Sequence, residues 1–308
     1  MNSKRVFDLL ISADWEYDRD FVTLLEEAAR RENLAVYSCW PEHLSATIQK
    51  VAAGENEFRV LFDRASSSSP EFLELQNLLK SRGAEILEPI EQIRWASDKA
   101  TMHLEFISHG INTPYTIIIS PYETSEGLSL SPDDLAPLGR PFFIKPANTT
   151  GGSLGVIYGA ETLEDVRKAR RLYPQDKYLL QKKVRPHEEQ GKRFWFRGFC
   201  ILGAVLCAWW DDQTHIYTEL TPEEVNRFNL QPLFPIVERI GEVSRLRFFS
   251  TEIVRTEEGE FLSVDYVNES CDMRLQSRHF DGVPDPIVHR IVDCIAGYIK
   301  KNASGSPF

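Results

Sequence analysis

Apolar positions in the first third of the chain follow two alternating rhythms. Short runs rich in β-branched and aromatic residues at 6–12, 35–39, 58–63 and 84–87 read as strands, and the stretches between them, 19–31, 44–53 and 70–81, carry helical spacing. Such alternation predicts parallel β-α units. Gly83 stands where the third helix needs a C-cap. The serines at 66–69 before Pro70 fit either a phosphate-binding loop or a helix start, and serine followed by proline favours the helix cap.

The rhythm then changes. Residues 93–110 read as one helix with Trp95, Met102, Leu104 and Phe106 as apolar positions and Gly110 at its end. A turn at 112–114, a strand at 116–120, a loop or short helix at 131–138 and a strand at 141–145 lead into the flexible run Thr149-Thr150-Gly151-Gly152-Ser153-Leu154-Gly155-Val156. A helix at 163–172 and a strand at 178–182 follow, then a hairpin over 194–210 turning at Leu202-Gly203. A helix at 233–243, a second hairpin (248–255 and 260–267 around Glu258-Gly259) and an amphipathic helix at 284–300 close the chain, with a frayed tail at 303–308. The predicted fold class is α/β followed by α+β, because hairpins replace β-α units in the second half.

Composition narrows the function classes. With 308 residues, 42% of them hydrophobic and 26% charged, the chain has enough material for two or three packed units. A formal net charge of -11 argues against a nucleic-acid partner, which would need a basic face. The apolar stretch at 6–11 is broken by Asp8 and reads as a strand rather than a signal peptide. No apolar run reaches the roughly 20 residues of a membrane span, so the expectation is a soluble, cytoplasmic protein with no membrane partner. Cys39, Cys200, Cys207, Cys271 and Cys294 are odd in number and lack metal-type spacing, which predicts reduced, mostly buried thiols. His187, His215 and His279 show no ligand or triad spacing and read as loop residues, and Trp209-Trp210 reads as a core or lid anchor.

Three features point to nucleotide chemistry. Lys145-Pro146 at a strand end, followed by glycines, suits phosphate binding: glycine backbones close over oxygens while the ammonium neutralises charge. The second hairpin sets Glu252, Asp265 and Asn268 at the ends of facing strands, and two carboxylates with an amide are hard oxygen donors suited to Mg2+. Lys99 follows Asp98 on the helix that opens the central region.

Together these features resemble the ATP-grasp superfamily. Ser97-Asp98-Lys99 with Gly110-Ile111-Asn112-Thr113-Pro114 is similar to its opening signature, and Pro141-Phe142-Phe143-Ile144-Lys145-Pro146 with Gly151-Gly152-Ser153-Leu154-Gly155-Val156 to its lysine and phosphate-covering loop. Tyr178-Leu179-Leu180-Gln181-Lys182-Lys183-Val184 resembles the adenine-holding strand and hinge, 197–203 the arginine-led hairpin, and 252–268 the metal-binding end. The resemblance implies an N-terminal α/β pre-ATP-grasp domain at 1–92 and an ATP-grasp domain at 93–302, whose small subdomain covers about 115–182.

By position, the resemblance implies that Lys99 and Lys145 contact ATP phosphates and that Gly151, Gly152 and Ser153 close over them. Lys182 and Val184 would offer backbone groups to adenine, beside Gln181; Arg197 would stabilise the transferring phosphoryl group; and Glu252, Asp265 and Asn268 would hold Mg2+, with Mn2+ able to replace it. Three departures leave alternatives open. Asp265-Tyr266-Val267-Asn268 has one residue more than the family's E-x-N, so strict alternation would turn one ligand away unless a bulge restores it. Asp272 is either a substitute ligand or a substrate contact, with Arg274 and Arg278 as a clamp for a substrate carboxylate or phosphate. Trp195 stands where an acid often precedes the arginine, so Glu188 or Glu189 would serve the ribose, and Arg193 competes with Arg197 for the catalytic position.

The implied activity is Mg-ATP-dependent joining of a small-molecule or peptide carboxylate to an amine through an acyl phosphate. An ATP-grasp small-molecule kinase and a non-catalytic nucleotide-binding module are the alternatives, and homodimerisation is a further expectation from the resemblance. The chain lacks G-x-x-x-x-G-K-[ST] and the protein-kinase motifs.

Overall fold

The computed structural model describes residues 4–149 and 154–303. Its first unit runs β1 (Arg5–Ser12), α1 (Arg19–Arg31), β2 (Val36–Cys39), α2 (Pro41–Ala52), β3 (Asn56–Asp63), α3 (Leu73–Ser81) and β4 (Glu85–Leu87). All pairings are parallel, in the order β2-β1-β3-β4. Alternation along β1 divides two cores: Leu9 and Ile11 pack with Phe21 and Leu25 of α1, whereas Leu10 packs with Leu44 of α2 and Leu75 of α3. The serines before α3 enter a 3-10 turn (Pro70–Phe72) as expected, but Ser69 makes no side-chain cap. Its hydroxyl and that of Ser68 instead donate to Asp14 Oδ2, at 2.7 and 2.6 Å.

The helix expected at 93–110 is two helices, α4 (Ile90–Ser97) and α5 (Lys99–Ser108). Asp98 breaks the run: it takes an extended conformation and accepts the Thr101 N–H at 2.8 Å, so its carboxylate caps α5. Lys99 thereby becomes the first residue of α5, and its own N–H donates to Ala147 O at 3.1 Å.

Next come β5 (Thr116–Ile119), β6 (Phe142–Pro146), β7 (Ile157–Ala160), α6 (Leu163–Arg170) and β8 (Tyr178–Lys182), which build an antiparallel sheet in the order β5-β8-β6-β7. Then follow β9 (Glu188–Glu189), β10 (Lys192–Arg193), β11 (Trp195–Ile201), β12 (Ala204–Trp210), β13 (Tyr217–Glu219), α7 (Pro222–Arg227), α8 (Leu233–Ser244), β14 (Phe248–Arg255), β15 (Phe261–Asn268) and α9 (Asp285–Ala303). The larger antiparallel sheet has the order β13-β12-β11-β14-β15. Its two faces are both buried: Phe196, Phe249 and Tyr266 pack on α4, α5 and α8, while Phe199, Ile201 and Phe248 share a core with α1 and α9. The last helix therefore lies against the first unit. The small elements β9, β10, β13 and α7 escaped sequence reading because they hold too few residues to show a period.

One glycine decides how closely the large sheet meets its helix. A Cβ on Gly198, in β11, would lie 2.3 Å from Val237 Cγ2 of α8. Only glycine lets α8 pack this close beside Arg197. All five cysteines are free, four of them buried. Among the described residues no helix is long and apolar enough to cross a membrane.

Candidate active site

The two antiparallel sheets meet where Lys145, near the end of β6, donates from Nζ to Val264 O of β15 at 3.0 Å. Around this contact lie the charges the sequence nominated. Arg197 of β11 faces Glu252 of β14 in register, and Glu252 faces Asp265 of β15. Arg197 Nη2 is 2.7 Å from Glu252 Oε1. The other oxygen, Oε2, accepts from Trp195 Nε1 at 3.0 Å, so the tryptophan standing in the expected place of an acid is a donor to one.

The extra residue in Asp265-Tyr266-Val267-Asn268 is absorbed by a bulge. Glu252 opposes Asp265 and Ser250 opposes Asn268, so three steps on β15 match two on β14. Ser250 and Glu252 share a face of their strand, and the bulge returns Asn268 to the face of Asp265. Hydroxyls satisfy the displaced backbone: Thr251 Oγ1 and Ser263 Oγ both donate to Asp265 O, at 2.8 and 3.1 Å. Tyr266 points the other way, its Oη 2.9 Å from His103 Nδ1 on α5 and 3.4 Å from Gln181 Nε2. Gln181 is fully buried in this network, which ties β8 to β15.

Electrostatics mark the cluster as one unit. Burial would raise the Asp265 carboxyl, but Lys99, Lys145 and Arg197 hold it below its ordinary range. Burial lowers the Lys145 ammonium, against the pull of Asp265 and Glu252, and Lys99 lowers it further. Burial is the largest single influence on Arg197 and works against its charge, yet Glu252, Tyr217, Asp265 and Cys271 together outweigh it and raise the guanidinium above its usual value. The Arg197 Cζ sits 4.7 Å above the ring of Trp210, while Trp209 is buried among Phe194, Phe196 and Phe228. Of the tryptophan pair, one is core and the other is a platform for the arginine. Arg197 Nε is buried with no hydrogen-bond partner among the described residues.

Two residues of this region lay outside the sequence reading. Glu269, directly after β15, is half-buried, and burial raises its carboxyl against the attraction of Lys99, with Asp265 adding to the rise. Asp176 accepts the N–H groups of Asn148 and Thr149 at 2.9 and 2.7 Å and so holds the entrance of the glycine-rich run. Gly151, Gly152 and Ser153 themselves lie outside the described residues, as does the expected tail from residue 304 onward.

Several nominated residues are engaged elsewhere. Arg193 does not join Glu252: its Nε and Nη2 hold Asp212 at 2.9 and 3.1 Å, and it pairs with Glu188, so of the two arginines only Arg197 stands in the row with Glu252 and Asp265. Glu188 is thereby neutralised on the β9-β10 hairpin, and Glu189 faces His187 at 3.4 Å. The Lys182 N–H cannot face adenine, because it donates to Tyr115 O at 2.9 Å. Val184 differs: its backbone N–H and C=O have no partner among the described residues. Asp272 pairs with Arg274, 2.7 Å away, and Arg274 also holds Asp281 at 2.9 Å. Arg278 pairs with Asp20 at 3.0 Å.

No protein-family model matches the chain, and no curated protein matches it. Solved structures do. An ATP-grasp protein with a RimK domain from Sphaerobacter thermophilus is 20% identical over 94% of this chain and 98% of its own, with a TM-score of 0.62. A D-cycloserine synthetase is 17% identical over 96% and 99%, with a TM-score of 0.66. A D-alanine–D-alanine ligase from Bacillus anthracis, complexed with ATP, is 13% identical over 99% and 100%, with a TM-score of 0.62. At these identities the likeness is one of fold, and it extends over almost the whole of each chain.

Proposed function

We propose that this chain, which has the ATP-grasp fold, is an Mg-ATP-dependent ligase that joins a carboxylate to an amine through an acyl phosphate, releasing ADP and phosphate. The observation that carries the reading is the row Arg197, Glu252, Asp265 beside Lys145, buried at Arg197 and half-buried at the carboxylates, with the Arg197 Nε unpartnered. A triphosphate would complete this arrangement. It supplies anionic oxygens to Lys99, Lys145 and Arg197.

The donor chemistry also fits a hard divalent cation. Among the described residues no three His, Cys, Asp or Glu side chains gather into a metal cage, and Asp265, Asn268 and Glu252 are the kind of partial oxygen set that Mg2+ completes with phosphate. When bound, Mg2+ would neutralise phosphate charge and help align the transferring group. The chain's own residues do the rest. Lys99 and Lys145 draw the phosphates in, and Arg197, fixed by Glu252 and by Trp210, presents a rigid guanidinium to charge developing on the γ-phosphoryl oxygens. A substrate carboxylate oxygen attacks the γ-phosphorus, breaking its bond to ADP. The amine nitrogen then attacks the acyl carbon, loses a proton, and expels phosphate. Val184, with free backbone groups at the hinge, would take the adenine edge.

The synthetase and ligase names of two fold neighbours support this class of reaction, for which a cytoplasmic location is part of the proposal. Incubating the protein with Mg-ATP and pooled carboxylates and amines, and following ADP and phosphate by phosphorus NMR, tests it. Equal release of ADP and free phosphate is expected. Phosphate retained on an organic product would replace the ligase with a kinase, and no ADP from any pool would leave only a nucleotide-binding module.

A further inference from the structure

Beyond β15 the chain does not return to solvent but forms a wall with the first unit. The guanidinium of Arg64 grips Asp18 through two hydrogen bonds of 2.8 Å and donates to Cys271 O at 3.2 Å. Arg278 reaches Asp20, and Ser67 Oγ meets Ser270 Oγ at 3.3 Å. The wall thus joins the loops after β1 and β3 to the segment that starts directly after the metal end of β15. Loops at the carboxyl ends of parallel strands are where such sheets present ligand-contacting side chains.

Two properties of this wall are unusual. The first is exposed aromatic surface. Trp15 and Tyr17 are 42% and 46% exposed and Phe280 is 76% exposed. Trp15 and Tyr17 lie 5.2 Å apart, Tyr17 meets the ring of His279 at 5.6 Å, and Arg274 covers Trp15 at 5.8 Å. Large rings left in water at the seam between two units mark a contact surface. The second is charge. Asp18, Asp20, Asp272 and Asp281 are held by three guanidiniums, Arg64, Arg278 and Arg274, while Asp14 accepts from the hydroxyls of Ser68 and Ser69, so these aspartates outnumber the guanidiniums that hold them. Each of the three arginines already holds an aspartate, so none is free to clamp a substrate carboxylate.

We infer that this wall is the acceptor subsite and that it selects an amine carrying an aromatic ring and no free carboxylate. The inference rests on the ligase reading and names its second substrate by class. The ring stacks on Trp15 and Tyr17, and its ammonium is drawn by the surplus aspartates and by the faces of the same rings. A second carboxylate on the acceptor would meet that surplus and would have to displace Asp272 or Asp281 from Arg274.

Tyramine and tyrosine, which differ by one carboxylate, separate the possibilities. Saturation-transfer NMR on the full chain measures the binding of each, in wild type and in the Trp15→Ala and Tyr17→Ala variants, both at exposed positions. Tyramine is expected to bind several-fold more tightly than tyrosine and to weaken about tenfold in each variant, a change of about 1.4 kcal/mol. Undetectable tyramine binding, binding indifferent to both substitutions, or tyrosine binding as well as tyramine would each overturn the inference. Mg-ATP affinity measured on the same samples keeps the two claims apart. If Mg-ATP binds and tyramine does not, only the acceptor assignment falls; if neither nucleotide nor ADP formation is seen, the ligase reading falls on its own.

Discussion

Arg197 and Glu252 face one another in register across β11 and β14, 2.7 Å apart, and Glu252 in turn faces Asp265 across β14 and β15. The row places one guanidinium and two carboxylates side by side on adjacent strands at the seam between two sheets. A pair this buried contributes little to stability as a pair, but removing one partner strands the other.

Replacing Arg197 by Met separates the two roles of this residue. The variant should lose about 3 kcal/mol of stability, because Glu252 keeps only Trp195 as a donor, and ADP formation should fall by about a thousandfold. Adding Glu252→Gln should recover stability and leave activity low. Thermal unfolding and ADP release measure both quantities. An active double variant would remove Arg197 from the mechanism.

Gly198 and Gly297 should respond to alanine in opposite directions. At Gly198 the new methyl would meet Val237 Cγ2 at 2.3 Å, an overpacking worth about 1–3 kcal/mol, and the strain would fall on the strand that carries Arg197. At Gly297, within α9, nothing lies within 4 Å and alanine should stabilise by about 0.5–1 kcal/mol. Melting temperatures of both variants check the pair, and a Gly198→Ala protein as stable and active as wild type would show that α8 has slack the structure does not reveal.

Glu88 gives the fold a pH signature. It is buried at the start of the connection to α4, accepts the Arg247 N–H at 2.9 Å, and burial pushes its carboxyl up to about 7 despite the backbone donors and Arg247. The folded protein therefore holds a proton that the unfolded chain has already released above its ordinary value of 4.5. Stability from this group is full below that ordinary value and is lost as pH rises through about 7, by an amount on the order of 3 kcal/mol. Glu88→Gln should be more stable than wild type at pH 8 and nearly equal at pH 4. Urea denaturation at both values decides the matter, and a difference independent of pH would show that Glu88 is ionised in the folded state.

The parallel unit and the two hairpins were readable because their apolar periods are long and the turns between them carry glycine. Asp98 was not readable as a break: its side chain competes for a backbone N–H without disturbing the apolar pattern of its neighbours, so two helices looked like one. The charged row was legible as residue types at strand ends, and the surplus residue in β15 left two outcomes open, a ligand turned away or a bulge, of which the strand takes the bulge. What spacing could not show is pairing across the chain. Arg193, Arg274 and Arg278 looked as available as Arg197, and only the fold brings Asp212, Asp281 and Asp20 to them. Glu269 was passed over for the same reason, since its significance lies in its proximity to Lys99 and Asp265 rather than in a motif.

Calorimetric titration of wild type and Asp265→Asn with ATP, with and without Mg2+, reads out whether Asp265 and its neighbours form an Mg-ATP site. Mg2+ should strengthen ATP binding at least tenfold in wild type, whereas the variant should bind ATP equally with and without the metal. Binding in wild type that ignores Mg2+, or an Asp265→Asn protein that keeps the full metal effect, would contradict such a site.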